Sequence, residues 1–194
     1  MDIAILVIVL LDILLSYHKL KATKVLPVAT LSRTIKAALL VKNYIIRQLI
    51  IVCLIGNAFW PEVPLWLKLD LPMAIKTTGL ILALSALALR QWAYSELKEN
   101  WSHLIACPDK LILSGPYRFV RHPIYSSYLL MAIAGVLATG SVTLLLLGVI
   151  FFALDNLRAR EEEKILSDKF GDQYRLYALN TGRYFPLLRS PIID

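Results

Sequence analysis

Cysteine is nearly absent from this chain of 194 residues: Cys53 lies in an apolar stretch and Cys107 in a polar loop, which leaves no disulfide framework and no CxxC metal pair. Neither cysteine needs a function, and no metal is expected. The 8 glycines never fall as GxG, so the phosphate-binding turn of a dinucleotide domain has no candidate. No internal repeat or low-complexity tract stands out. Charge is scarce as well, at 18% of residues against 58% hydrophobic ones. With a mean hydropathy of +0.63, that balance excludes an ordinary water-soluble domain and points to an integral membrane protein. A bilayer core of about 30 Å needs roughly 20 apolar residues per helix, so the chain has room for about four to six spans and no large soluble catalytic domain.

Apolar runs fall at about Ile3 to Tyr17, Tyr44 to Trp60, Met73 to Tyr94, Tyr125 to Ala138 and Val142 to Leu157. The expected fold is therefore all-α, with five transmembrane helices and a cytosolic C-terminal helical tail. Only Thr139, Gly140 and Ser141 separate the last two spans, which must form an antiparallel helical hairpin. The first run has the length of a signal-peptide core but lacks a basic start, carries Asp12 and leads into Lys-rich sequence, and is read as a retained span.

The formal charge of +7 is explained by side of the membrane. Lys19, Lys21, Lys24, Arg33, Lys36 and Lys42 crowd the first loop, whereas the stretch from Pro61 to Pro72 holds only Lys68. The first loop is then cytosolic, the N-terminus outside, and the loop from Glu96 to His122 and everything after Asp155 cytosolic. Because the positive-inside rule accounts for the excess, no nucleic-acid partner is expected; the basic surface suits anionic headgroups of the bilayer. Trp60, Trp66, Trp92, Tyr94 and Trp101 lie near span ends, as interfacial aromatics do. Gly171 closes a charged helical segment that begins around Arg158.

Two polar clusters remain: GPYRFVRHPIY, from Gly115 to Tyr125, and RAREEE, from Arg158 to Glu163. Taken singly, each has a plain explanation. Pro123 suits the first turn of a helix whose end Arg121 and His122 would anchor in the headgroups. Arg158 and Glu162, one turn apart, would be a solvated ion pair continuing the fifth span. Together they mean more, because the hairpin returns to the side it left. Tyr117, Arg121, His122, Tyr125, Arg158 and Glu162 then converge on one membrane face beside Asn100 to His103, a setting for a polar cofactor next to an apolar substrate.

These residues resemble the isoprenylcysteine carboxyl methyltransferases and the related membrane phospholipid methyltransferases. The resemblance runs from about Asn100 to Pro186: His103, Leu104 and Ile105, then SGPYRFVRHPIY, the hairpin, and RAREEEKILSDKFGDQYRLYALNTGRYFP. It implies S-adenosylmethionine as cofactor, held by the fourth and fifth spans and the tail. His103, Leu104, Ile105 and Ala106 would contact the adenosine, Tyr117, Arg121, His122 and Tyr125 would close over the cofactor, and Glu162 would accept from its amino, sulfonium or ribose groups. Arg158 would fork onto the carboxylate of a lipophilic, prenylated substrate. A carboxylate is ionised at pH 7, so methyl transfer needs no general base, and His122 is read as a hydrogen-bonding contact.

The organisation expected is one integrated domain, with a three-span region over 1–95 and a catalytic region over 96–194. Three other readings stay open: a phospholipid or small-molecule methyltransferase with the same cofactor, a sterol-type reductase using NADPH, and a non-enzymatic membrane anchor.

Overall fold

The computed structural model describes residues 2–20, 45–60, 68–97 and 110–187. Among them run five helices: α1 (Asp2–Leu20), α2 (Arg47–Phe59), α3 (Met73–Leu97), α4 (Pro123–Thr139) and α5 (Val142–Asn180). A short 3-10 turn, Gly115–Arg118, precedes α4. Each of the five apolar runs carries one helix. By length and composition α3 and α5 can each cross a membrane, while α2 and α4 are shorter apolar helices.

Local chemistry sets the hairpin. Pro123 occupies the first turn of α4, where its fixed φ suits the helix and its missing N–H goes unmissed. Gly140 ends the helix in the left-handed conformation (φ 73°), donating its N–H to the Val136 carbonyl at 2.7 Å. Ser141 then caps α5, its hydroxyl accepting from the Leu144 N–H at 3.3 Å. The turn is also seated against the strand-like segment before α3. Leu69 N–H donates to the Gly140 carbonyl at 2.9 Å, and a Cβ at Gly140 would stand 2.2 Å from the Leu69 carbonyl oxygen.

At that same end of the bundle Lys68 pairs with Asp2 at 3.0 Å and donates to the Asn57 carbonyl at 3.2 Å. The start of α1, the end of α2, the approach to α3 and the hairpin turn therefore lie together, as alternating antiparallel helices require.

The core is built from small residues where helices cross. Gly79, Ala83 and Ala86 of α3 and Ala134 and Ala138 of α4 are buried, and a Cβ on Gly79 would stand 2.5 Å from the Ala138 backbone nitrogen. Such close approach replaces solvent exclusion as the source of cohesion between helices in lipid. Ile5, Leu6, Cys53, Leu54 and Leu144 complete the cluster from α1, α2 and α5. Large apolar side chains point outward: Val7, Val52, Ile81, Leu84, Leu146 and Val149 are each more than half exposed, the surface that a bilayer rather than water would cover. One buried polar junction ties three helices. Arg90 of α3 pairs with Asp12 of α1, donates from Nε to the Ser127 hydroxyl of α4 at 2.9 Å, and lies 4.1 Å from the Tyr128 ring centroid.

The Gly79 contact is backbone against backbone and leaves no flexible atom to yield. Gly79→Leu should therefore destabilise the protein by about 1–3 kcal/mol, the usual cost of overpacking. Leu84→Ala, on the outward side of the same helix, should stay within about 0.5 kcal/mol. Unfolding midpoints in detergent would separate the two.

Candidate active site

Helix α5 does not stop at the expected span end near Leu157. It continues, still helical, to Gly171, where φ 51° and ψ −124° interrupt it before a last segment to Asn180. Across this junction the helix carries Asp155, Arg158 and Glu162 at i, i+3 and i+7, one face of the helix. That face meets the start of α4. Glu162 Oε1 accepts from the Tyr125 hydroxyl at 2.7 Å and from Arg158 Nε at 2.8 Å, and Oε2 lies 3.6 Å from His122 Nδ1. The His122 and Tyr125 rings stack at 5.3 Å, and the Arg158 guanidinium sits 6.0 Å from the Tyr125 ring centroid. Tyr117, His122, Tyr125 and Arg158 are buried and Asp155 is wholly so.

Beside it stands a second carboxylate, the last of the RAREEE cluster, to which the sequence reading gave no role. Glu163 Oε1 accepts from Arg121 Nε at 3.0 Å, Arg183 Nε at 3.0 Å and His122 Nε2 at 3.2 Å, and Oε2 accepts from the other branch of Arg183. Arg121 also donates to the carbonyls of Ala178 at 2.7 Å and Thr181 at 2.6 Å. The chain after α5 thus returns to the start of α4, where Arg121 N–H donates to the Gly182 carbonyl at 2.8 Å and His122 N–H to that of Arg183 at 3.0 Å. Tyr177 donates to the Tyr117 carbonyl at 2.7 Å, and Ser126 to that of Tyr184 at 2.7 Å.

The electrostatics follow. Burial alone would raise both carboxyls, but it is outweighed. Arg158 and His122, with hydrogen bonds from Tyr125 and Arg158, hold Glu162 below the usual carboxylate range. Hydrogen bonds from His122 and Arg183 and the charge of Arg121 bring Glu163 down to about 2. Burial, reinforced by Glu162 nearby, pushes the Tyr117 phenol well up, so it stays a neutral donor.

Of the residues expected at the site, the structure gathers His122, Tyr125, Arg158 and Glu162 directly. Arg121 faces Glu163 and the returning backbone, and Tyr117 lies buried alongside. His103, Leu104, Ile105 and Ala106 fall outside the described residues. Glu163, Asp155, Arg183 and Tyr184 were missed. Tyr184 packs its ring 5.1 Å from Phe152 and 6.1 Å from His122, and donates to Asn156 Oδ1 at 3.0 Å. The only available signal for Arg183 and Tyr184 was their place in the TGRYFP stretch.

The arrangement puts two ionised carboxylates, an arginine and an aromatic wall at the end of a membrane hairpin. Residues 79–168 match the isoprenylcysteine carboxyl methyltransferase family. That match begins in α3, earlier than the motifs at Asn100 suggest, and ends before FGDQYRLY, from Phe170 to Tyr177. The Schizosaccharomyces pombe protein-S-isoprenylcysteine O-methyltransferase is 29% identical over 105 residues, 52% of this chain and 44% of that protein. An Arabidopsis thaliana protein-S-isoprenylcysteine O-methyltransferase B is 27% identical over 150 residues, 75% of this chain and 74% of its own length. Among solved structures, the eukaryotic intramembrane Ras methyltransferase of the same family has a similar fold, with a TM-score of 0.56 at 21% identity, covering 83% of this chain and 55% of that one. The chain thus spans about half the length of the fission-yeast methyltransferase and of that solved structure. The resemblance read from the sequence motifs is to this family.

Glu163 should behave as the anchor of the returning segment. A carboxyl lowered from 4.5 to about 2 contributes stability that is present above 4.5 and lost as pH falls through 2. Glu163→Gln should speed amide exchange of residues 178–184 at pH 7 by roughly tenfold or more, the worth of a charge-assisted bond at about 1.5–3 kcal/mol. The gap from the unmodified protein should close toward pH 2. An equal effect at both pH values would mean that the charge is not what holds the segment.

Proposed function

We propose that this chain is an integral membrane methyltransferase that uses S-adenosylmethionine to esterify the carboxylate of an isoprenylcysteine or a similar lipophilic acid. The observation that carries the reading is the Glu162 cluster, an ionised carboxylate held between Tyr125, His122 and Arg158 where the α4–α5 hairpin opens. The activity in the relatives' names and the order of the motifs along the chain support it.

The residues present fit the cofactor. Its amino group, sulfonium and ribose hydroxyls are cations and donors, and the site offers acceptor-only carboxylate oxygens beside stacked aromatic rings. Glu162 would hold the cofactor, with Tyr117, Arg121, His122 and Tyr125 around it and His103 to Ala106 at its adenosine. S-adenosylmethionine, when bound, supplies a methyl group on a positively charged sulfur.

The protein's own part is alignment and desolvation. Arg158, in contact with Glu162 and beside buried Asp155, would fork onto the substrate carboxylate and orient an oxygen in line with the reacting carbon. The lipid-shielded setting strips water from that oxygen. Because the nucleophile is already ionised, no residue has to remove a proton. In this reading all five helices span, with the N-terminus outside and the site and C-terminus cytosolic, and 1–95 and 96–194 pack as one domain in contact with the bilayer.

The test is transfer of tritiated methyl from S-adenosylmethionine to N-acetyl-S-farnesylcysteine by the purified protein, scored as base-labile volatile counts. Counts are expected. A folded protein that gives none would shift the reading to lipid-amine methylation or nicotinamide-dependent reduction. Glu162→Ala should weaken cofactor binding in calorimetry by roughly 10- to 150-fold, the worth of about 1.5–3 kcal/mol. Arg158→Ala should leave that binding in place and raise KM for the acid steeply; if both affinities fell together, the division of roles between the two would be wrong.

A further inference from the structure

A partly open cavity lies away from the Glu162 cluster, lined by α1, α2, α4 and α5 with Arg90 of α3 at one end. Its lining is sorted by height. Ile5, Leu54, Gly135 and Leu144 lie toward the hairpin turn, and Asp12, Arg47, Arg90 and Tyr128 at the opposite end. Along each of α1, α2 and α4 the two levels are seven residues apart, about 10 Å at the rise of a helix. The polar end is thus on the side from which the hairpin starts, next to Ser127, two residues past Tyr125.

That end is not self-sufficient. Arg90 is 1% exposed, yet its Nη2 has no hydrogen-bond partner among the described residues, and neither has Asp12 Oδ1. Buried Arg90, exposed Arg47 and one carboxylate line that end, and an arginine N–H buried without an acceptor is costly. An apolar lining that extends over about 10 Å of helix, with surplus positive charge at one end and an orphaned donor buried behind it, matches one kind of occupant.

We infer that this cavity binds a single-chain amphiphile with an anionic headgroup, drawn from the leaflet on the side of the active site, its tail along α1, α2, α4 and α5 and its charge on Arg90 and Arg47. Asp12 then competes with the headgroup for Arg90. The site is distinct from the one at which methyl transfer is proposed. Because Arg90 holds Ser127 on α4, occupancy would be felt two residues from Tyr125.

The test uses the full-length protein in detergent with radiolabelled 1-oleoyl-lysophosphatidate as probe and neutral monoolein as competitor. Saturable binding at one per chain, not displaced by monoolein, is expected. Asp12→Asn removes the competing carboxylate and should tighten the probe at least about threefold, whereas a purely structural ion pair predicts no gain. Adding Arg90→Gln to Asp12→Asn, which removes both members of the buried pair together, should abolish binding. Gly135→Leu should also block it from the tail end, since a Cβ there has ordinary clearance, 3.8 Å from Leu144 Cδ1. Unchanged or weaker binding in Asp12→Asn, or equal displacement by monoolein, would overturn the inference. Competitive displacement by N-acetyl-S-farnesylcysteine would overturn its separateness and make the cavity the acidic substrate's own.

Discussion

Three pieces of chain distant in sequence meet on the carboxylate of Glu163: Arg121 and His122 before α4, the continuation of α5 itself, and Arg183 beyond its end. Each contact is charge-assisted or close to it, and the three donors share one acceptor in partly buried surroundings, where such bonds are strongest. The rest of the site is arranged around this knot. With Arg121 and Arg183 held, the backbones at 120–122 and 182–183 run side by side. His122 is fixed by Nε2 on Glu163, which leaves Nδ1 3.6 Å from Glu162. Tyr125, stacked on His122, is thereby aimed at Glu162. The side chain best placed to meet a ligand is thus positioned by a neighbour that need not touch one.

Much of the bundle was legible because a membrane helix announces itself in composition. The five apolar runs carry the five helices, Gly140 and Ser141 end and begin helices as their chemistry demands, and Gly171 marks the break in α5. The length of α5 was not legible in the same way. Charged residues after Leu157 read either as a continuation of the fifth span or as a helical segment beginning around Arg158; nothing at Arg158 to Glu163 favours leaving the helix, and the backbone continues through.

The site divided along similar lines. His122, Tyr125, Arg158 and Glu162 sit in motifs whose order requires their meeting once the hairpin closes. Glu163 could not be told from Glu162 by type, since adjacent helical residues point about 100° apart and only the partners on other segments decide which role each takes. Arg183 and Tyr184 lie roughly 60 residues from the α4 start they touch, with no periodic pattern to bring them there. The Arg90–Asp12 pair, 78 residues apart, was equally silent: a lone charge in an apolar run does not say which helix answers it.

The three-residue turn at Thr139, Gly140 and Ser141 behaves as a gear between two helices. Because Leu69 grips Gly140 from one side and Ser141 caps α5 from the other, the turn can neither lengthen nor swivel without releasing both. One residue inserted there would rotate all of α5 by about 100°, carrying Arg158 away from Tyr125 and exchanging the outward faces of Glu162 and Glu163 some 20 residues, or about 30 Å, downstream. Lineages of this fold should therefore tolerate change in the letters of this turn more readily than in its length, and a gap opened here in an alignment signals a misplaced helix sooner than a real deletion.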